Sequence, residues 1–263
     1  MGLLVLQVAN LTKRYGPLTA LSDVSFTIRP GEVLGVIGPN GSGKTTLFEC
    51  LGGVLSADSG ALRRDGRVLT SAERTATVFY LPDLITPWPH ETVRWALDFI
   101  VGYFGAMRAE GRASSAPTDR VDADARSNRR GGACSAPSID DVIARLELEP
   151  LLDSAIGTLS KGQRKRALLG IGLLTPQPIL LADEPFDGLD LRQTREVAQT
   201  LRHYAAAGRT MLLSIHQIGD AARVCDRFVL LSGGRTRGEG TLDELSALAA
   251  CRGNLEEIFL ALT

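Results

Sequence analysis

The stretch Val33-Leu34-Gly35-Val36-Ile37-Gly38-Pro39-Asn40-Gly41-Ser42-Gly43-Lys44-Thr45 decides how the rest of the chain is read. Its first five residues form a short, nearly continuous aliphatic run, the pattern of a strand buried on both faces of a parallel sheet. Residues 46–51, from Thr46 onward, read as the start of a helix. Between strand and helix, Gly38 is followed after four residues by Gly43-Lys44-Thr45, the spacing of a phosphate-binding loop in its proper setting. Glycines let the backbone curl until several N–H groups aim at one anion, and the helix N-terminus adds its dipole. Lys44 is placed to neutralise outer phosphate charge, and Thr45 offers a hydroxyl to Mg²⁺. The residues Gly38, Pro39, Asn40, Gly41, Ser42, Gly43, Lys44, Thr45 and Thr46 are therefore the expected seat of a nucleoside triphosphate with Mg²⁺.

Two further aliphatic runs end in chemistry. Ile179-Leu180-Leu181-Ala182 leads into Asp183-Glu184, and Thr210-Met211-Leu212-Leu213-Ser214-Ile215 leads into His216. Open α/β sheets put their ligands at the carboxyl ends of their strands. Asp183 is expected to hold Mg²⁺ and Glu184 to orient an attacking water, with His216 reaching toward the γ-phosphate. The alternatives are a solvated acidic turn and a structural histidine. Residues 4–8 and 24–28 alternate apolar with polar side chains, which predicts half-exposed antiparallel strands beside the main sheet. Residues 92–175 are helical in pattern but lose periodicity over 106–138, an Ala-, Ser-, Gly-, Pro-, Arg- and Asp-rich stretch expected to be a flexible insertion.

Bulk properties narrow the class. The chain has 263 residues, 44% hydrophobic and 22% charged, enough for one large domain carrying a smaller lobe. A net charge of -1 supplies no global attraction to nucleic acid, and none is expected as a partner. Cys50, Cys134, Cys225 and Cys251 are scattered without metal-ligand spacing, which fits a reducing cytosol. No run has the features of a signal peptide or approaches the length of a membrane span.

Leu159-Ser160-Lys161-Gly162-Gln163, before a helix and upstream of Asp183, closely resembles the signature motif of the ABC ATPases. The resemblance runs along nearly the whole chain, from Lys13-Arg14-Tyr15-Gly16 through the phosphate loop and signature to Phe186-Asp187-Gly188-Leu189-Asp190 and His216. It implies an α/β fold: a P-loop NTPase (RecA-like) core with an antiparallel β subdomain, together spanning about 1–91 and 176–263, and a helical subdomain over about 92–175. It implies ATP as the nucleotide, with Tyr15 stacking on adenine and Asp190 coupling two sites. In that family two such domains pack head to tail, so Ser160, Gly162 and Gln163 would complete the partner's site. An ordinary N-cap at Ser160, with Lys161, Arg164, Lys165 and Arg166 as a solvated basic face, is the alternative.

Two positions depart from the family's pattern. Asp83, in Tyr80-Leu81-Pro82-Asp83, stands where the family usually has a glutamine that touches Mg²⁺ and water, and is expected to ligate the metal instead. Lys161 replaces a signature glycine. The tail Leu255-Glu256-Glu257-Ile258-Phe259-Leu260 resembles separate-chain ATPase subunits of export-type transporters. That implies a second ATPase subunit, integral membrane permease subunits and a place on the cytoplasmic face of the membrane. The alternative is a soluble ABC ATPase acting on a macromolecular complex.

Overall fold

A computed structural model describes residues 6–113, 137–251 and 253–263, with side chains as far as residue 106 in the first segment. Residues 114–136 lie outside the described residues, and with them Cys134 and most of the expected insertion.

The chain opens with an antiparallel pair, β1 (Leu6–Tyr15) and β2 (Leu18–Ile28), then enters the main sheet at β3 (Val33–Ile37). The phosphate loop leads from β3 into α1 (Lys44–Gly52). β4 (Ser59–Arg64) and β5 (Arg67–Val68) return to the opening pair and complete a four-stranded sheet in the order β2-β1-β4-β5. The capped helix α2 (Ser71–Thr77) then delivers the chain to β6 (Val78–Leu81). A helical region follows, with α3 (Val93–Ala113), α4 (Ile139–Arg145) and α5 (Lys161–Leu174). The second half alternates strand and helix as β7 (Ile179–Asp183), α6 (Leu191–Ala206), β8 (Thr210–Ile215), α7 (Ile218–Val224) and β9 (Arg227–Ser232). β10 (Arg235–Gly240), α8 (Leu242–Leu248) and α9 (Leu255–Leu262) close it.

The main sheet runs β10-β9-β3-β8-β7-β6. Pairing is parallel from β9 to β6, and β10 joins as an antiparallel edge. Alternation along β3 explains its unbroken apolar run: Val33 and Ile37 enter the cluster shared with the helices around α5 and α6, whereas Leu34 and Val36 enter the cluster shared with α1 and the antiparallel sheet. Side chains on both faces of a central strand are withdrawn from water, so neither face needs polar residues.

Several boundaries differ from the sequence-based expectation. The first helix starts at Lys44, two residues before Thr46, because Gly43 at φ +103° makes the turn that admits the chain to the helix. Residues 4 and 5 of the first expected strand lie outside the described residues; β1 runs on to Tyr15 and β2 begins at Leu18, their alternation broken by register shifts in their pairing. α3 continues to Ala113, past the point where the sequence loses periodicity.

Candidate nucleotide and metal site

Strand order gathers the site. β3, β8, β7 and β6 are consecutive and parallel, so their carboxyl ends lie side by side. The phosphate loop leaves β3, His216 follows β8, Asp183 ends β7, and Asp83 follows β6 by two residues. Four segments separated in sequence thus reach one edge of the sheet.

The phosphate loop has the form of an anion cradle. Gly43 caps α1 without any side-chain hydrogen bond, which leaves the first-turn N–H groups facing outward. A Cβ on Gly43 would lie 2.6 Å from the Ala20 carbonyl oxygen, so this turn accepts only glycine. The Ser42 hydroxyl is buried with no hydrogen-bond partner. Such an orphaned donor just before the start of α1 fits a phosphate oxygen. Lys44 is also buried, its Nζ folded back onto the carbonyls of Gly38 at 2.8 Å and Pro39 at 3.2 Å. Burial lowers its pKa from the ordinary lysine value, and the nearby charges of Glu184 and Asp183 oppose that shift. Thr45 is exposed at the mouth, while Pro39, Asn40 and Gly41 form the exposed rim and Thr46 is half-buried.

The acidic side is held by a residue that sequence reasoning missed. Ser214, fully buried on β8, donates its hydroxyl proton to Asp183 Oδ1, and the same Oγ accepts from the Glu184 N–H at 3.0 Å. One side chain therefore orients both carboxylate-bearing residues. Glu184 adopts φ +51°, an uncommon conformation for a residue with a Cβ, of the kind that concentrates at functional sites. There its carboxylate contacts His216 Nδ1. A carboxylate and an imidazole in contact beside a phosphate loop suit the polarising of a water. Thr45, Asp183 and Asp83 supply hydroxyl and carboxylate oxygens, the donor chemistry that Mg²⁺ prefers. Asp83 Oδ1, however, lies 2.6 Å from Lys165 Nζ.

The signature segment serves a local purpose as well. Ser160 and Gln163 form a reciprocal capping box, Gln163 N–H to Ser160 Oγ at 3.3 Å and Ser160 N–H to Gln163 Oε1 at 2.9 Å. Gly162 packs so closely under the turn before α6 that a Cβ would sit 2.6 Å from the Gly188 carbonyl oxygen. Asp190 caps α6 in the same fashion, accepting from Gln193 N–H at 2.8 Å. The expected solvated basic face is only partly so. Lys165 and Arg166 are buried, Arg166 against the carbonyls of Leu146 and Glu147, while Lys161 is exposed and paired with Asp187. Tyr15 is exposed near the tip of the opening pair, its ring 5.7 Å below Lys13 Nζ and open for stacking.

Known proteins resemble this chain in sequence and in fold. Residues 21–187 match the family described as ABC transporter. The chain is 31% identical over 233 residues to the Nod factor export ATP-binding protein I of Burkholderia orbicola, covering 88% of this chain and 69% of that protein. It is also 31% identical over 242 residues to the sulfate/thiosulfate import ATP-binding protein cysA of Cucumis sativus, covering 91% of this chain and 63% of the other. Among solved structures it superposes on an ATP binding subunit of an ABC transporter with a TM-score of 0.78 at 27% identity, covering 98% of this chain and 99% of that one.

Proposed function

The chain belongs to the ABC transporter family and is an ABC ATPase, and from that premise we propose that it powers a separate membrane permease, in export, as one of two subunits that share their nucleotides. The observation that carries this reading is the meeting of the phosphate loop with Asp183, Glu184 and His216 at one sheet edge. Similarity to the Nod factor export proteins favours export.

On this reading the whole chain is a single ATPase domain, and its residues divide the work as follows. Tyr15 stacks on the adenine. The loop N–H groups and Ser42 receive the phosphates, and Lys44 exchanges its carbonyl partners for phosphate oxygens. Thr45, Asp183 and Asp83 hold Mg²⁺, which when bound offsets negative charge on the phosphate oxygens. Glu184 polarises the water that attacks the γ-phosphorus, and His216 keeps Glu184 and the water aligned. The bond from that phosphorus to the bridging oxygen breaks, giving ADP and phosphate. Ser160, Gly162 and Gln163 of a second subunit close the site from above, and Asp190 links the two sites.

The permease is expected to dock on the helical region at the cytoplasmic face of the membrane. Leu84 is 90% exposed, and Trp88, Trp95 and Phe99 form a partly exposed aromatic cluster, the last two stacked at 5.1 Å. Exposed apolar patches of this kind mark interaction surfaces. Among the described residues no helix is long and apolar enough to cross a membrane.

Replacement Glu184→Gln tests the reading: turnover should fall by about 10²- to 10⁴-fold, and light scattering should detect a dimer stabilised by ATP and Mg²⁺. Unchanged turnover would remove Glu184 from the chemistry. A monomer at saturating ATP and Mg²⁺ would count against the shared site.

A further inference from the structure

We propose that Lys165 is a positioning residue of the nucleotide site, one that holds the Asp83 carboxylate on the signature helix until Mg²⁺ and ATP arrive and then yields it. The inference rests on the nucleotide-site reading above. Its starting point is burial. The Lys165 side chain is only 5% exposed, and its Nζ sits 2.6 Å from Asp83 Oδ1 and 3.4 Å from the Asp183 carbonyl oxygen. A buried ammonium without a counter-charge is strongly unfavourable, so Asp83 is its necessary partner. The Asp83 side chain is 22% exposed, more open than its partner.

The surroundings explain why a cation is stationed there. The ends of β6 and β7 bring Asp83, Asp183, Glu184 and Asp187 into one neighbourhood. Carboxylates so gathered repel one another unless cations are interleaved. Among the described residues three lysines do this. Lys44 approaches from the phosphate loop, and Lys161 and Lys165, four residues apart on α5, reach Asp187 and Asp83. Lys165 is the most enclosed of the three and the one whose partner is also a candidate metal ligand. When a divalent cation enters, the neighbourhood no longer needs every ammonium. An oxygen of Asp83 cannot serve both cations fully, so Lys165 competes for it. Release of the pair also frees the start of α5 from the end of β6, which couples occupancy of the phosphate loop to the position of the signature.

A four-protein cycle on the full chain tests this: wild type, Lys165→Met, Asp83→Gln and the double variant. Two quantities are read, the melting temperature without nucleotide and the free Mg²⁺ giving half-maximal binding of ATP with a fluorescent ribose label. Each single variant should melt about 5 °C lower, since each strands or unpairs a buried group, whereas the double should return to within about 2 °C of wild type. Lys165→Met should lower the Mg²⁺ requirement by about threefold or more, because Asp83 no longer has a competing partner, and should leave it unchanged in the Asp83→Gln background. Additive melting losses would overturn the inference. So would a Mg²⁺ requirement that shifts equally in both backgrounds or does not shift at all. Lys165→Gln replaces the methionine variant if the latter does not fold. A Lys44→Ala control separates the two levels of argument. If labelled ATP fails to bind wild type, or binds independently of Lys44, the nucleotide-site reading itself fails.

Discussion

The phosphate loop and the start of α5 are both helix N-termini entered through small or polar residues, and they treat their donors in opposite ways. At α1, Gly43 gives no side-chain cap, Ser42 is buried without a partner and Lys44 falls back on the loop's own carbonyls. That end leaves donors unspent. At α5, Ser160 and Gln163 satisfy each other, Gly162 is covered by Gly188, and Lys161 and Lys165 are drawn onto acidic partners. This second end is stable as it stands. The difference teaches that the first keeps its donors free for a ligand, whereas the second has spent part of its capacity on its own fold.

Substitutions at the two ends should therefore fail differently. Lys44→Ala should weaken ATP binding to the isolated subunit on the order of 100-fold, measured by equilibrium titration, since a charge-assisted contact to phosphate is lost. Ser214→Ala is expected to reduce turnover by about tenfold through misplacement of Asp183 and Glu184, with ATP affinity little changed. Steady-state kinetics separates these outcomes. Ser160→Ala should lower stability by about 1 kcal/mol through loss of the cap, seen as a small drop in melting temperature, and leave ATP affinity of the isolated subunit intact. If affinity fell as far as in Lys44→Ala, the contrast between the two ends would collapse.

The smallest expected effect concerns pH. The hydrogen bond from Lys161 holds the Asp187 carboxyl below its usual range. A depressed acid contributes stability above its unfolded value, near pH 4, and loses it as pH falls through its lower folded value. The melting difference between wild type and Asp187→Asn should thus be constant near neutrality and vanish in strong acid. Both side chains are substantially exposed, so the difference amounts to well under about 1 kcal/mol.

The parts of the fold that were legible in the sequence share one physical cause. β3, β7 and β8 are buried on both faces, so their apolar runs stand out and end where polar chemistry begins. β10 has the sequence RTRGEG and is a strand only because β9 offers it an edge, which no local pattern records. The site divides likewise. The phosphate loop is contiguous and its spacing is informative. Ser214 lies in an aliphatic run with nothing nearby to announce its two partners. Lys165 read as part of a solvated face because its counter-charge is 82 residues away in sequence.

The central claim, that the signature of one subunit completes the phosphate loop of another, is tested most directly by mixing two inactive chains. A Lys44→Ala chain keeps a sound signature, and a Ser160→Arg chain keeps a sound phosphate loop. Mixed dimers would contain one intact composite site, so ATP hydrolysis should recover to about a quarter of wild type at equal ratios. Activity no greater than the sum of the two parents, with mixed dimers present, would contradict the account.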